Sequence, residues 1–305
     1  MNGILLIDKP IDLTSADVVR RVKRRLPRTA KVGHLGTLDP FATGLLPLCL
    51  GEATKIAQFL NTADKQYIGV IQLGWATDTG DRTGQRTEVM AAPALEAAVL
   101  ASLASRFTGE LQQRPPMYSA LKRGGVPLYK LARRGVEVER ATRPVHIQHL
   151  ELAADGPDRL RFTVACSKGT YVRVLAGDIG IALGSAAHLA ELRRTSFGVF
   201  AIEDACSLDD WEPSQPRGLI GVREALGHLP AVRLDAGTAD AARQGKAAVL
   251  GGIPAGLGRS ALLLDPAGEV AAVVVCDPGP WRYGRVLAAP QALHGANPVV
   301  AAGIE

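Results

Sequence analysis

Between Gly33 and Lys55 the chain reads Gly-His-Leu-Gly-Thr-Leu-Asp-Pro-Phe-Ala-Thr-Gly-Leu-Leu-Pro-Leu-Cys-Leu-Gly-Glu-Ala-Thr-Lys, and no other stretch restricts the fold as much. Gly33, Gly36 and Gly44 permit backbone angles that side chains forbid, and Pro40 fixes the chain directly after Asp39. Such a segment is an irregular loop whose backbone amides can orient and solvate one carboxylate, Asp39, close to one imidazole, His34. The apolar run Leu45 to Leu50 can anchor that loop on a core. Taken alone, an Asp-Pro in a Gly/Pro turn suits a helix cap equally well.

A chain of 305 residues suggests two domains, and a hydrophobic share of 47% is ample for a folded core. The formal net charge of +5 is mild, so its clustering carries the information. Arg20, Arg21, Lys23, Arg24, Arg25, Arg28 and Lys31 form one basic cluster, and a second extends from Arg114 to Arg143. Phosphate backbone and a solvated helix face are equally good explanations of such clusters from charge alone. Cys49, Cys166, Cys206 and Cys276 are far apart, which fits a reducing, cytoplasmic compartment. His146 and His149 would face opposite sides of a strand, so no metal site is expected. The first residues lack the basic region of a secretory leader, and no apolar run approaches the ~20 residues of a membrane span. Neither a phosphate loop nor a dinucleotide fingerprint is present, so no cofactor is expected.

In chain order, Gly3 to Ile7 predicts a buried strand ended by Asp8-Lys9-Pro10. Ser15 is the predicted N-cap of a helix with Val18, Val22 and Leu26 on one face and most of the first basic cluster on the other. A helix over 55–60 and a β-branched strand over 64–74, opened by Tyr67, come next. Leu95, Val99, Leu103 and Phe107 have helical spacing. Residues 114–133 read as an irregular basic loop followed by a helix. Strands are predicted over 145–152 and 160–166, then a helix ending near Gly184 and a further helix and strand across 188–200. The polar, proline-rich 209–217 is the predicted linker. Beyond it, a helix over 238–244 precedes a hairpin turning at Pro266-Ala267-Gly268. The fold class is α+β on a mixed, mostly antiparallel sheet flanked by helices.

The segment around Asp39 resembles the catalytic loop of the TruB family of pseudouridine synthases, patterned Gly-His-x-Gly-x-Leu-Asp-Pro-x-Ala-Thr-Gly. Leu35 departs from the small residue commoner there. Further similarities are Lys9-Pro10 with Thr14-Ser15, Lys65-x-Tyr67 with Thr77 to Asp81, and the basic segment from Arg114 to Arg133. Ser167-x-Gly-Thr-Tyr-x-Arg173 and residues 188–200 match as well. The resemblance implies a pseudouridine synthase fold, with a catalytic domain over 1–228 that carries an RNA-gripping insertion at about 112–143. A PUA-like RNA-binding domain over 229–305 rests on position and size. It also implies that uridine 55 in the T loop of transfer RNA is flipped out and isomerised to pseudouridine, without cofactor, metal or guide RNA, by a monomer.

On that resemblance Asp39 is the covalent catalyst, Arg173 its partner, and Tyr67 the residue over the base. Lys9 and Tyr171 support the pocket, and His34 fills the stack that the extruded base leaves. Arg133 and Arg134 contact phosphate. The chemistry suits these types: an ionised carboxylate away from water needs a cation that cannot lose its charge, and a guanidinium is one. A non-catalytic RNA-binding or RNA-folding protein on the same fold is the alternative, and the presence of all of Asp39, Tyr67 and Arg173 speaks against it. A glycoside-processing enzyme would need a second carboxylate in a comparable motif.

Overall fold

The computed structural model describes residues 1–61, 63–215 and 217–289. The tail from 290, with the end of the expected C-terminal domain, lies outside the described residues. The chain divides into two units, Gly3–Ile220 and the residues from Gly221 onward. No helix among the described residues is long and apolar enough to cross a membrane.

In the larger unit, strand β1 (Gly3–Lys9) is followed by helix α1 (Ser15–Arg24), β2 (Val32–His34) and β3 (Thr43–Leu50). Next come α2 (Ala57–Leu60), β4 (Lys65–Leu73) and the β5 (Trp75–Thr77)–β6 (Arg86–Val89) hairpin. Helix α3 (Ala97–Arg106) precedes β7 (Gly109–Gln113), the small hairpin β8 (Lys122–Arg123)–β9 (Val126–Pro127) and α4 (Leu128–Ala132). The long strands β10 (Arg143–Ala154) and β11 (Arg159–Cys166), helix α5 (Val172–Ala182) and strand β12 (Ala187–Phe197) complete the centre. Short strands β13 (Phe200–Ala201), β14 (Cys206–Ser207) and β15 (Leu219–Ile220) close it.

One mixed sheet runs in the order β14-β1-β3-β12-β4-β11-β10-β7. Its pairings are antiparallel except for β1 with β14 and β3 with β12. The expected mixed, mostly antiparallel sheet is therefore what forms. Alternation in β11 buries Leu160, Phe162, Val164 and Cys166 and leaves Arg161 out, as its sequence dictates. Val18 and Val22 of α1, Leu100 and Leu103 of α3, and Leu175 and Ile179 of α5 share one apolar core with Tyr67, Ile71 and Leu73 of β4.

Three expectations are corrected. The cap of α1 is Thr14, whose hydroxyl accepts from Asp17 N at 3.0 Å while the Asp17 carboxylate accepts from Thr14 N at 3.0 Å. Ser15 is buried instead and exchanges hydrogen bonds with Leu38, accepting from its N at 2.9 Å and donating to its O at 3.2 Å. That ties the start of α1 to the loop before Asp39. Residues 188–200 form no helix: β12 is continuous to Phe197, because it lies in the middle of the sheet and must satisfy neighbours on both edges. The segment 209–217 is no linker, since Trp211 is 1% exposed within the larger unit's core. Arg25 donates to the carbonyls of Leu208 and Asp209, both at 3.3 Å, and also to that of Trp211. Polar composition misled here because one indole anchors the segment.

The smaller unit holds α6 (Val222–Ala225), β16 (Ala231–Arg233), α7 (Ala236–Arg243), β17 (Ser260–Leu264), β18 (Val270–Val275) and β19 (Arg282–Val286). The strands pair in that order, β17 and β18 forming the expected hairpin. Asp235 caps α7 through Thr238 N at 2.9 Å, and Arg243 pairs with Asp265 at 2.7 Å.

Gly44 shows how closely the central strands approach. Its φ is +97°, and a Cβ there would lie 2.3 Å from Arg194 O on β12. Gly44→Ala is expected to destabilise the larger unit by about 2–3 kcal/mol, from backbone strain and overpacking together. Urea unfolding followed by near-ultraviolet dichroism reads that loss, and an unchanged midpoint would refute the close packing.

Candidate active site

Asp39 leaves the turn after β2, and its chain direction is set from behind. Lys9, 0% exposed, donates Nζ to the carbonyls of Pro10 at 2.9 Å, Leu13 at 2.7 Å and Pro40 at 3.1 Å. Its three hydrogens are spent on main chain, and burial brings its pKa down to about 8 although Asp12 and Asp39 oppose the shift. In front of the loop, Arg173 in the first turn of α5 meets the carboxylate with two donors. Nε is 2.8 Å from Oδ2, and Nη2 is 3.3 Å from Oδ1. The fork fixes both carboxylate oxygens at once.

Arg173 has further bonds that hold it rigid. Nη1 donates to Thr79 O and Nη2 to Tyr118 O, each at 2.7 Å. Asp81 Oδ2 stands 3.7 Å from Nε, so two carboxylates share one guanidinium. Asp81 is oriented in turn: Oδ1 accepts from Thr79 Oγ1 at 2.9 Å, Thr83 N at 2.9 Å and Thr83 Oγ1 at 2.6 Å. The Asp39 side chain keeps 35% of its exposure, whereas those of Arg173 and Asp81 keep 5% and 6%. The acid therefore faces an opening, and its partners form the wall behind it. Burial pushes the Asp39 carboxyl above the ordinary carboxylate value, and Asp81 adds to this while Arg173 opposes it.

Tyr67 is buried in β4, and burial raises its phenol, with the Arg194 guanidinium the main opposing influence and Asp39 close enough to add to the rise. His34 is the last residue of β2, across from Leu48 of β3. It is half-buried, its Nδ1 has no hydrogen-bond partner, and burial with the nearby Arg194 lowers its pKa. Tyr171 immediately precedes α5; its N donates to Gln113 Oε1 at 2.9 Å, and Arg143 lies 5.0 Å over its ring. Arg133 and Arg134 are exposed just after α4, Arg133 lying over the Tyr129 ring. The structure thus pairs Asp39 with Arg173, leaves Tyr67 within electrostatic reach of Asp39, sets Lys9 behind the loop, and puts Arg133 and Arg134 on the surface just after α4.

Sequence reasoning missed Asp81 and Arg194 as members of the site. Asp81 stood in the quoted Thr77–Asp81 stretch, an acid among glycine and threonines like Asp39, and that shared texture was the available signal. The role of Tyr118 is carried by a carbonyl, for which no side-chain pattern exists. Chemically the arrangement presents an oriented carboxylate that can act as nucleophile or base, beside a buried phenol.

Comparison with known proteins gives the family. A family description, TruB family pseudouridylate synthase (N terminal domain), fits residues 23–172, and tRNA pseudouridylate synthase B C-terminal domain fits residues 173–216. The chain is 51% identical over 250 residues to the tRNA pseudouridine synthase B of Aromatoleum aromaticum, covering 81% of this chain and 80% of the relative. It is 42% identical to that of Hydrogenovibrio crunogenus, covering 98% and 96% respectively. A chain of an H/ACA RNP bound to a substrate RNA containing 2'-deoxyuridine shares the fold, with a TM-score of 0.66 at 24% identity, over 94% of this chain and 85% of that one.

Arg173→Met strands Asp39 and Asp81 together without a cation. The expected cost is about 2–3 kcal/mol at neutral pH, below the full value for a buried pair because Asp39 is a third exposed. The Asp39 carboxyl, already raised by burial and now without the opposing guanidinium, has a folded pKa above its unfolded one, so the cost shrinks as pH falls and it protonates. Denaturation midpoints of parent and variant between pH 5 and 8 check this, and a gap that widens toward acid would contradict it.

Proposed function

We propose that this chain, which belongs to the TruB family of pseudouridine synthases, isomerises uridine 55 in the T loop of transfer RNA to pseudouridine. The carrying observation is the forked Asp39–Arg173 pair, whose carboxylate alone faces the opening while its partners are buried. Two relatives above 40% identity are named for transfer RNA and for this reaction, which supports the substrate class.

The reaction breaks the bond between N1 and the sugar, makes one between C5 and the sugar, removes the C5 proton and returns one to N1. No electrons are gained or lost. Asp39 supplies the covalent carboxylate. Arg173 keeps it ionised in a site whose burial would otherwise neutralise it, and selects which oxygen points outward. Tyr67 lies over the base and takes the C5 proton late in the sequence. The uridine reaches Asp39 only when extruded, and His34 fills the gap it leaves. Lys9 supports the pocket from behind, and Tyr171 fixes the entrance to α5. Arg133 and Arg134, in the insertion over about 112–143, bind phosphate. The domain over 229–305 is taken as a PUA-like grip on the RNA. The enzyme works as a monomer in the cytoplasm, needing no guide RNA.

Asp39→Asn removes the nucleophile at constant size. Turnover on unmodified transfer RNA is expected to vanish with binding nearly intact, and position-by-position mapping of pseudouridine tests both enzyme and site. For the parent, the raised Asp39 carboxyl places the acid limb of the rate above the range of an ordinary carboxylate, since the ionised form is the active one. Pseudouridine at another position would overturn the substrate assignment, and product from the pure variant would overturn the role of Asp39.

Arg133 and Arg134 make a separate prediction. Replacing both with Ala is expected to weaken binding and to flatten the slope of log K against log salt by up to ~2 units, as each lost phosphate contact removes about 0.7–0.9. The single-turnover rate at saturating enzyme changes little. A salt slope equal to the parent's would remove this segment from the phosphate contacts.

A further inference from the structure

Arg194 is 0% exposed and makes no ion pair among the described residues. A guanidinium carried into the interior without a carboxylate is costly, so its donors need accounting for. Nε donates to Leu45 O at 2.7 Å on β3, and Nη2 donates to Gly36 O at 2.8 Å in the turn leading to Asp39. The group also lies 5.4 Å from the centre of the Phe197 ring. Nη1 remains, buried and without a well-aligned partner.

The surroundings are shaped to admit this side chain. A Cβ on Gly36, whose φ is +58°, would stand 2.6 Å from the Phe197 ring and 3.1 Å from Arg194 Nη1. Across the sheet, Arg194 of β12 is the register partner of Tyr67 of β4, so both side chains leave the same face as neighbours. We propose that Arg194 is the positioning residue for Tyr67, its free Nη1 being the donor that holds the phenolic oxygen as it takes the C5 proton. This rests on the reading of Tyr67 as the group that removes that proton.

The step balances without any further reactant. The C5–H bond breaks toward the oxygen of ionised Tyr67, which becomes a phenol. The C–H electron pair forms the C5–C6 double bond, and the displaced pair moves to N1, which takes a proton from water. Tyr67 then returns its proton to solvent. A buried phenol resists ionising, and the Arg194 charge beside it acts in the opposite sense. Other groups bear on the same pair. Asp39 and Cys166 disfavour the phenolate, while Lys9, Lys65 and His34 each feel the Arg194 charge. Among these, Arg194 alone combines permanent charge, full burial and an unused donor.

A double-mutant cycle separates positioning from simple support. Single-turnover rates at saturating enzyme are measured on unmodified transfer RNA for the parent, Tyr67→Phe, Arg194→Met and the double variant, with product-RNA binding as the check on folding. Each single change is expected to slow the reaction by about 10²-fold or more. The double variant is expected to match Tyr67→Phe within about threefold, since a residue acting only through the phenol has nothing left to act on. Arg194→Lys keeps the charge but not the fork, so it recovers part of the rate, with the phenol's part of the ascending pH limb, above that of Asp39, moved to higher pH. If Arg194→Met does not fold, the cycle is run with Arg194→Lys. Losses that multiply, or an unmoved pH limb, would overturn the role of Arg194 and leave that of Tyr67 standing. A Tyr67→Phe variant as fast as the parent would instead overturn the reading of Tyr67, and this proposal with it.

Discussion

The site depends on one guanidinium that has no freedom to choose. Arg173 is buried, permanently charged and supplied with five donors, and its contacts come from three separate stretches of chain. Asp39 comes from the turn after β2, Thr79 and Asp81 from the loop after β5, and Tyr118 from the segment between β7 and β8. Breaking a buried pair by removing one partner costs several kcal/mol, so these three segments are bound to one another's positions through a single side chain. The result is a carboxylate held by its two oxygens and still open on one side. A lysine at this place would satisfy one segment at a time.

Arg194 imposes a second constraint, of opposite character. It is charged but meets carbonyls and rings rather than acids. Two glycines near Asp39 make room for its strand: Gly36 gives way to the guanidinium and the Phe197 ring, and Gly44 to the Arg194 backbone. The loop around Asp39 therefore lacks side chains where it does because a neighbouring strand fills the space. Lys65, over the other ring contact of Phe197 at 4.6 Å, adds a second cation, and burial brings its pKa down to about 8.

How much of this was legible beforehand divides along physical lines. Period-two alternation in β11 and the apolar run of β1 announced strands whose burial depends on nearest neighbours alone. Asp39 and Arg173 were legible because dense motifs of glycine, proline and threonine surround them. The strand nature of 188–197 was not, because burial along β12 does not alternate cleanly and two register shifts break what period there is. Thr14 and Ser15 are both fair caps by type, and only the buried bond from Ser15 to Leu38 decides between them. The linker reading of 209–217 failed for a comparable reason: composition averages over a window, whereas Trp211 acts as one residue. Asp81 went unrecognised because its function lies in what it does to Arg173, across more than ninety residues of chain.

The placement of β1 has a temporal consequence. It pairs with β3 along its whole length on one side, but on the other it pairs with β14 and β15, whose residues are made some two hundred positions later. The β3–β12 contact that seats Gly44 against Arg194 likewise joins segments about 150 residues apart. Such long-range pairings are slow to form, because a long loop must be closed before any contact rewards it. During synthesis the loop around Asp39 can be laid against β1 early. It acquires its rear wall only when β12 arrives, and the edge of β1 is covered only after residue 220 has emerged. Until then the nascent chain presents an apolar strand with one open edge, which is the state a chaperone or the emerging chain itself must shield.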